Sequence, residues 1–179
     1  MLNQTVASSY SCTDGGSGVA TCNGPAASGS QVDTASVGNK TFTVTAADMA
    51  GNSGSQAATY SVGYNVCQLY DSSKAVHSGA VLPIKLQLCD AANADVSAAA
   101  ITVSAQKIAQ SSTSTTSDVQ SVGNANPDNN FRYDSSLGPT GGYIYNLSTK
   151  GLSTGTYALT FTVSGETGSS GHRVTFQVR

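Results

Sequence analysis

Two stretches carry one shared pattern, Gly38-Asn39-Lys40-Thr41-Phe42-Thr43-Val44-Thr45 and Gly155-Thr156-Tyr157-Ala158-Leu159-Thr160-Phe161-Thr162-Val163. In each, a glycine precedes apolar residues that alternate with Thr or Ala, and a turn-forming segment follows. Alternation with a period of two between turn signals is typical of a strand with one buried face. Because the pattern occurs near both ends of the chain, it predicts two β-sandwich units in tandem.

The composition argues against several classes of partner. The chain has 179 residues, of which only 10% are charged, and its net charge is -2. Nucleic acids and anionic membranes are bound by clustered Lys and Arg side chains, whereas the basic residues here are scattered. No apolar run reaches the ~18 residues of a membrane span, so we expect no membrane insertion. Residues 1–5 lack the features of a signal peptide, and we expect the chain to be a piece of a longer secreted protein.

The four cysteines predict an oxidising compartment. They are Cys12, Cys22, Cys67 and Cys89. Four cysteines allow three connectivities, of which one local bridge per unit is the simplest. A zinc site needs closely spaced cysteine pairs, which are absent, and free buried thiols are the remaining alternative. Disulfides form in secreted and extracellular proteins, so we expect an extracellular or cell-surface location.

The pattern of strands and turns divides the chain at a short linker. The first predicted unit is residues 1–63, with strands over 5–12, 19–22, 41–47 and 56–62, and a strand or loop over 31–37. The second predicted unit is residues 66–179, with strands over 66–70, 81–90, 100–108, 131–133, 142–147, 156–163 and 173–178. Residues 110–118, rich in Ser and Thr, are predicted to form a long exposed loop.

A more specific motif precedes the second alternating stretch. Leu152, Gly155 and Tyr157 fit Leu-x-x-Gly-x-Tyr, the tyrosine corner of Greek-key sandwiches, in which the tyrosine hydroxyl bonds to the backbone upstream. The alternative is an ordinary strand tyrosine.

Both halves of the chain resemble extracellular modules. Residues 10–22 and 41–52 resemble bacterial immunoglobulin-like repeats of large secreted proteins. The second half is similar to the module named for its Pro-x-Lys-Phe strand, which here is Pro83-Ile84-Lys85-Leu86 with Leu86 in place of Phe. Residues 124–134 and 142–147 also match that module.

The resemblance implies an all-β fold of two tandem immunoglobulin-like antiparallel β-sandwiches with Greek-key topology. Modules of this kind act as spacers, stalks or adhesive units attached to other domains. Similar first modules have a further N-terminal strand before residues 3–5. Its absence predicts an edge that is exposed or filled by another chain.

Two groups of turn residues are candidate calcium ligands. They are Asp14, Asp33, Asp48 and Asn52 in the first unit, and Asn126, Asp128, Asn130 and Asp134 in the second. Calcium takes six to eight oxygen ligands, but neither group has the spacing of an EF-hand or of a Gly-rich nonapeptide repeat. Turn Asp residues usually bond to their own backbone, and this role is the favoured interpretation. We therefore expect no cofactor, with calcium as the alternative.

Three tyrosines are candidates for a sugar-binding platform. Tyr133, Tyr143 and Tyr145 are close in sequence, and the last two share one strand face. Aromatic rings can stack on sugars, and the exposed loop 111–118 could contribute. The absence of Trp weakens this hypothesis, and packing in the core is the alternative.

No group of residues predicts catalysis. His77 and His172 lie in turns without a neighbouring nucleophile motif, and nearly all the carboxylates are in turn contexts. Lys85 could form an isopeptide bond with Asn146 or Asp134, but the period of two points Lys85 away from the core side of its strand.

We therefore expect a non-enzymatic bacterial structural or adhesive module that spaces or presents the neighbouring domains of a longer chain. The alternatives are a glycan- or surface-binding module, and a fibre subunit that binds another copy of itself by strand addition.

Overall fold

The computed structural model describes residues 1–113, 115–120, 122, 125–167 and 171–179. Over these ranges the protein is all-β, with twelve strands in three sheets, a short 3-10 turn at Pro127–Asn129, and no α-helix. The chain forms two compact units. Unit 1 is Met1–Gly63 with residues 166–167, and unit 2 is Tyr64–Gly165 with residues 171–179.

Unit 1 contains one antiparallel sheet in the order β1-β2-β3. The strands are β1 Val19–Asn23, β2 Gly38–Asp48 and β3 Ser53–Val62. β2 follows the alternation seen in the sequence, with exposed and half-buried residues in turn. β2 and β3 pair without a register shift from Gly38 opposite Val62 to Ala47 opposite Ser53.

The predicted strand over residues 5–12 is wrong. One isolated bridge, between Ala7 and Gln31, is the only ladder contact recorded there. Residues 2–8 instead run beside residues 29–34, and we call these two segments the N-terminal ribbon. Backbone bonds join the two segments, among them those from the Ser8 N–H to the Ser30 carbonyl at 2.8 Å and from the Val32 N–H to the Val6 carbonyl at 2.9 Å. The Thr34 and Ser8 hydroxyls add bonds to the carbonyls of Gln4 and Ala27, each at 2.8 Å.

Unit 2 contains two sheets. Its strands are β4 Asn65–Gln68, β5 Ala75–Val76, β6 Val81–Cys89, β7 Val103–Gln110, β8 Thr116–Asp118, β9 Arg132–Asp134, β10 Gly142–Ser148, β11 Gly155–Val163 and β12 His172–Val178. One sheet has the order β4-β6-β10-β9 and the other the order β5-β12-β11-β7-β8. All pairs are antiparallel except β5 and β12, which run parallel.

The two sheets of unit 2 enclose one hydrophobic core. Ile84, Leu86 and Leu88 of β6 are fully buried, as their period of two predicted. The first sheet also contributes Tyr145 and Leu147, and the second contributes Val103, Ile108, Leu159, Phe161, Val174 and Phe176. Burial of these side chains is the main source of stability for unit 2.

Local patterns miss two short strands of unit 2. β5 has only two residues, and β8 lies at the end of the predicted loop 110–118, of which Ser114 is outside the described residues. β7 begins at Val103 rather than at residue 100. Asn124, the first residue of the segment 124–134, is also outside the described residues.

Candidate functional site

A groove of about 720 Å³ in unit 1 lies between the inner face of the sheet and residues of the segments 1–13 and 32–34. On the sheet side it is lined by Phe42, Val44 and Ala58, and on the other side by Val6, Tyr10 and Val32. A second cavity of about 660 Å³ shares Val32 and Phe42 with it. We call the larger cavity the unit 1 groove.

The groove exists because unit 1 has too few large apolar side chains to fill its interior. Over residues 1–63, all of which the structure describes, Val62 is the only buried hydrophobic residue. The rings of Tyr10 and Phe42 lie 5.8 Å apart and remain half-buried. A Cβ on Gly24 would come within 2.8 Å of the Phe42 ring, so this glycine permits the backbone to approach the ring closely.

β3 forms a long open edge beside the groove. Within the described residues its only strand neighbour is β2, and its ten residues are exposed except Tyr60 and Val62. Natural edge strands are usually protected by short length, charged residues, proline or bulges. β3 has none of these features: Ser53–Val62 contains no charged residue and no proline, and its pairing with β2 has no shift.

Among the described residues, the outermost strands other than β3 are short or protected. β1 has five residues and a register shift between Val19 and Thr21. In unit 2 the described edge strands β4, β5, β8 and β9 have between two and four residues. Beyond β9, the buried Asn126 side chain accepts from the Asn146 N–H at 2.9 Å and donates to the Asn146 carbonyl at 2.8 Å. This amide occupies the position of a neighbouring strand.

Both predicted disulfides are confirmed. Cys12 and Cys22 join the N-terminal segment to β1, with a Cα–Cα distance of 5.8 Å. Cys67 of β4 and Cys89 of β6 lie 6.1 Å apart on neighbouring strands of one sheet. The described cysteines include no free thiol. The two bridges indicate a protein of an oxidising compartment.

The sugar-binding platform predicted from the tyrosines is wrong. Tyr143 and Tyr145 do share one strand face, but it is the core face, and their side chains are 1% and 0% exposed. The Tyr143 hydroxyl donates to the Ala98 carbonyl at 2.9 Å. Tyr133 is half-buried and packs edge-on against Tyr143 at 5.8 Å. These rings therefore pack in or against the core, which was the alternative interpretation.

The candidate calcium ligands of unit 1 bond within their own loops. Asp14 accepts the backbone N–H groups of Gly16 and Gly18 at 2.9 and 2.7 Å. Asp48 accepts hydrogen bonds from the side chain and the backbone N–H of Asn52 and, with a smaller effect, from the Ala50 N–H. These bonds hold the pKa of the Asp48 carboxyl below its usual value. Asp33 pairs with Lys40 at 2.7 Å.

Of the candidates of unit 2, Asp134 has the same role, whereas the side chains of Asn126 and Asn130 bond to Asn146 and Ser104. Asp134 accepts the Ser136 hydroxyl and N–H, which lower the pKa of its carboxyl. Asp128 lies in the short 3-10 turn with a φ of 54°. Within the described ranges, no three Asp, Glu, His or Cys side chains are grouped so that they could hold a metal ion. Asp14, Asp48 and Asp134 therefore bond within their own turns, the role that the sequence analysis favoured.

The residues considered for catalysis or cross-linking contact different parts of unit 2, and Lys85 is near enough to Asp134 for its charge to help lower the pKa of that carboxyl. His77 is 3.5 Å from an Arg179 guanidinium nitrogen, and the His172 ring stacks on Phe161 at 5.4 Å. Lys85 is half-buried opposite Ile144. It therefore occupies the face of β6 that the period of two predicted.

The tyrosine corner has the predicted hydrogen bond. Tyr157, near the start of β11, donates its hydroxyl proton to the Ser153 carbonyl at 2.9 Å. Its ring stacks on Phe176 at 5.5 Å. Leu152 packs against the core, and a Cβ on Gly155 would come within 2.7 Å of the Gln110 amide nitrogen.

Sequence analysis did not anticipate the buried amide of Gln87. It donates to the Asp95 carboxylate at 2.7 Å and to the carbonyls of Leu137 and Gly141 at 2.6 and 3.0 Å. Partial burial of Asp95 opposes ionisation, but bonds from Ser97 and Thr140 outweigh it and lower the pKa of Asp95. The cluster fixes the loops beside β6, because a buried amide without partners would be unfavourable.

A scan against protein-family models and a search of curated proteins found no match to this chain. In the part of the chain that the structure describes, there is no helix with the length and apolar character needed to cross a membrane.

Proposed function

We propose that the chain is a non-enzymatic, extracellular structural segment of a longer bacterial protein, which spaces or presents the neighbouring domains. Both units are taken to be immunoglobulin-like, and the second is taken to be of the Pro-x-Lys-Phe kind. Pro83, Ile84 and Leu86 of the motif lie in β6, with Ile84 and Leu86 in the core.

The strand order of unit 2 supports an immunoglobulin-like assignment. In immunoglobulin domains one sheet has the strands A, B, E and D, and the other has C, F and G. The orders β4-β6-β10-β9 and β5-β12-β11-β7-β8 agree with this arrangement if β6 is strand B and β11 is strand F. The tyrosine corner then lies near the start of strand F, where it is expected.

The observation that carries the spacer role is the position of the Cys67–Cys89 disulfide. The chain enters unit 2 through β4, and Cys67 on that strand is bonded to Cys89 at the end of the buried strand β6. A pulling force from the N-terminal side therefore reaches β6 through a covalent bond and cannot peel β4 away beyond Cys67. This is the property required of a segment that transmits load between domains.

Single-molecule force spectroscopy of the full chain tests this role. With the disulfide intact, we expect unit 2 to unfold in one discrete event. The bridged loop of 22 residues stays closed, so the released length is shorter by roughly 75 Å than in the reduced protein.

The matched control is the double variant Cys67→Ser/Cys89→Ser. We expect it to release the full length even without reductant, and to unfold at a lower force than the oxidised protein. Gradual extension of the oxidised protein at low force, without a discrete event, would contradict the proposed role.

A further inference from the structure

The open edge of β3 is the strongest unexplained feature of the molecule. An antiparallel strand of ten residues is about 34 Å long, and only every second residue of β3 bonds to β2. The remaining N–H and C=O groups point outward along an edge with no charge, proline or bulge. Such an edge is a template for another strand.

The chemistry of the edge restricts its occupant. The charged side chains of unit 1 are Lys40, three Asp residues and Glu166, which approaches Gly63 just after the end of β3, and none of them lies on β3 itself. The edge therefore offers a partner strand no charge to pair with, and the partner strand should itself be uncharged, extended and small enough to lie flat. β3 has each of these properties, so it is complementary to its own copy.

We propose that β3 is a self-association site, at which two copies of the chain pair antiparallel about a two-fold axis. The two sheets then form one six-stranded sheet in the order β1-β2-β3-β3-β2-β1. The pairing consumes both open edges, so the product is a closed dimer rather than a fibre. The inference goes beyond the spacer role and does not depend on it.

Symmetry restricts the register. In a hydrogen-bonded pair of an antiparallel ladder, both residues direct their N–H and C=O groups at the other strand. Along β3, every second residue directs these groups away from β2 and towards a new partner. Two-fold related strands must therefore meet with one residue opposite its own copy. Five residues of β3 line the groove: Gly54, Gln56, Ala58, Tyr60 and Val62. A register centred on Ala58 gives each of these five residues a partner on the second copy.

The cross-strand pairs in this register are compatible in size and polarity. On the groove side, Ala58 faces Ala58 of the second copy, Gln56 faces Tyr60, and Gly54 faces Val62. The inner faces of the two sheets lie on the same side, so the apolar floor of each unit 1 groove continues into the other. This continuity adds apolar burial to the backbone hydrogen bonds.

The expected dimer is weak. An interface built on one strand pair is smaller than a standard interface, so we expect a dissociation constant of roughly 0.1–1 mM. Sedimentation equilibrium of the full chain from about 10 μM to about 2 mM covers this range. A chain that stays monomeric throughout the range overturns the proposal.

Charge substitutions at the axis test the register. Ala58→Lys and Ala58→Asp each place like charges opposite one another across the axis, and both should weaken self-association at least fivefold. An equimolar mixture of the two variants places opposite charges there, and should associate at least fivefold more tightly than either variant alone. Ala58 is exposed in the monomer, so circular dichroism should show that both variants fold.

The matched control is Thr43→Lys, an exposed position on the central strand β2. It adds the same charge to the same sheet away from the edge, and the self-association should not change by more than twofold. Self-association of either Ala58 variant at the native strength overturns the β3 interface. A mixture no tighter than its components overturns the two-fold pairing centred on Ala58.

Discussion

Single side chains hold the turns and corners of both units. Tyr157, Asp48 and Gln87 each bond to backbone or side-chain groups of a neighbouring loop. In this protein the polar side chains compensate for irregular backbone segments, since a buried polar group without a partner is unfavourable. Two of these contacts lead to measurable predictions.

Removing the tyrosine-corner hydroxyl should destabilise unit 2 alone. Tyr157→Phe keeps the ring in the core but removes the bond to Ser153, which should lower the free energy of unfolding by about 1 kcal/mol. Urea denaturation of the full chain measures the change. The control Tyr60→Phe removes a similar bond, to the Asp33 carbonyl in unit 1, and should leave the unit 2 transition unchanged. Equal effects of both variants on unit 2 would contradict the account.

Acid should weaken unit 1 through its turn carboxylates. Hydrogen bonds from Asn52 and Ala50 lower the pKa of Asp48 in the folded state. A lowered pKa means that the stabilisation is present above the unfolded value of about 3.9 and is lost as the pH falls through the folded value.

The melting temperature of unit 1 should therefore be level from pH 7 to pH 5 and fall below about pH 4. Asp48→Asn should make that fall shallower without abolishing it, because Asp14 and Asp33 also have lowered pKa values. An identical pH profile for native protein and variant would show that the turn does not contribute.

At the scale of elements, most outermost strands of the described chain are short or protected, and β3 is long and unprotected. Edge strands of two to five residues, the shift in β1 and the Asn126 side chain restrict further pairing at the other described edges. β3 has ten residues and no such protection. The difference between these edges is the basis for assigning a pairing role to β3.

The role of Asn126 as a substitute for a strand can be tested directly. Asn126→Ala leaves the Asn146 N–H and C=O without their partner, which should cost about 1–3 kcal/mol in urea denaturation. Asn126→Asp keeps the acceptor for the N–H but replaces the donor with a second oxygen, which faces the Asn146 carbonyl. It should therefore also destabilise unit 2. A fully stable Asn126→Asp variant would show that the bond to the carbonyl is not important.

Sequence periodicity predicted the long strands well, but it did not predict which face of a strand is the core or which segments pair. β2, β6 and β11 are evident from their alternation, because one face of each is buried. The same rule placed Tyr143 and Tyr145 on one face but could not show that this face is the core. The prediction of a strand over residues 5–12 failed because the pairing there is limited to one bridge, between Ala7 and the distant residue Gln31, which local patterns do not determine.

Part of the evidence for the open edge of β3 is present in the sequence. The lack of charge and proline over residues 53–62 can be read directly. That β3 has no second neighbour follows from the order of the strands, which local patterns do not determine. The Gln87 cluster escaped notice for the same reason, since its partners Leu137 and Gly141 are about fifty residues away.

The whole molecule combines one unit with a filled core and one without. All the buried hydrophobic residues of the described chain except Val62 belong to unit 2. Small cores are commonly supplemented by disulfides. The Cys12–Cys22 bridge is therefore more important for the folding of unit 1 than Cys67–Cys89 is for unit 2, although the two bridges contribute similar free energies.

Loss of each disulfide should have a different consequence. Loops of 10 and 22 residues correspond to about 2.5–3.5 kcal/mol each in the chain-entropy account. Cys12→Ser/Cys22→Ser should unfold unit 1 at 25 °C, because little core remains, whereas Cys67→Ser/Cys89→Ser should leave unit 2 folded with a lower melting temperature. Separate transitions in differential scanning calorimetry measure both effects, and a reversed order of sensitivity would contradict the account.

Residue-resolved hydrogen exchange on the unreduced chain, at about 10 μM, tests the open edge most directly. At this concentration the proposed dimer is dissociated. The account predicts that the amides of β6, β10 and β11 exchange slowly, and that protected and unprotected amides alternate along β3. Uniformly slow exchange along β3, matching that of β11, would contradict the account, because it would mean that the edge is already paired in the single chain.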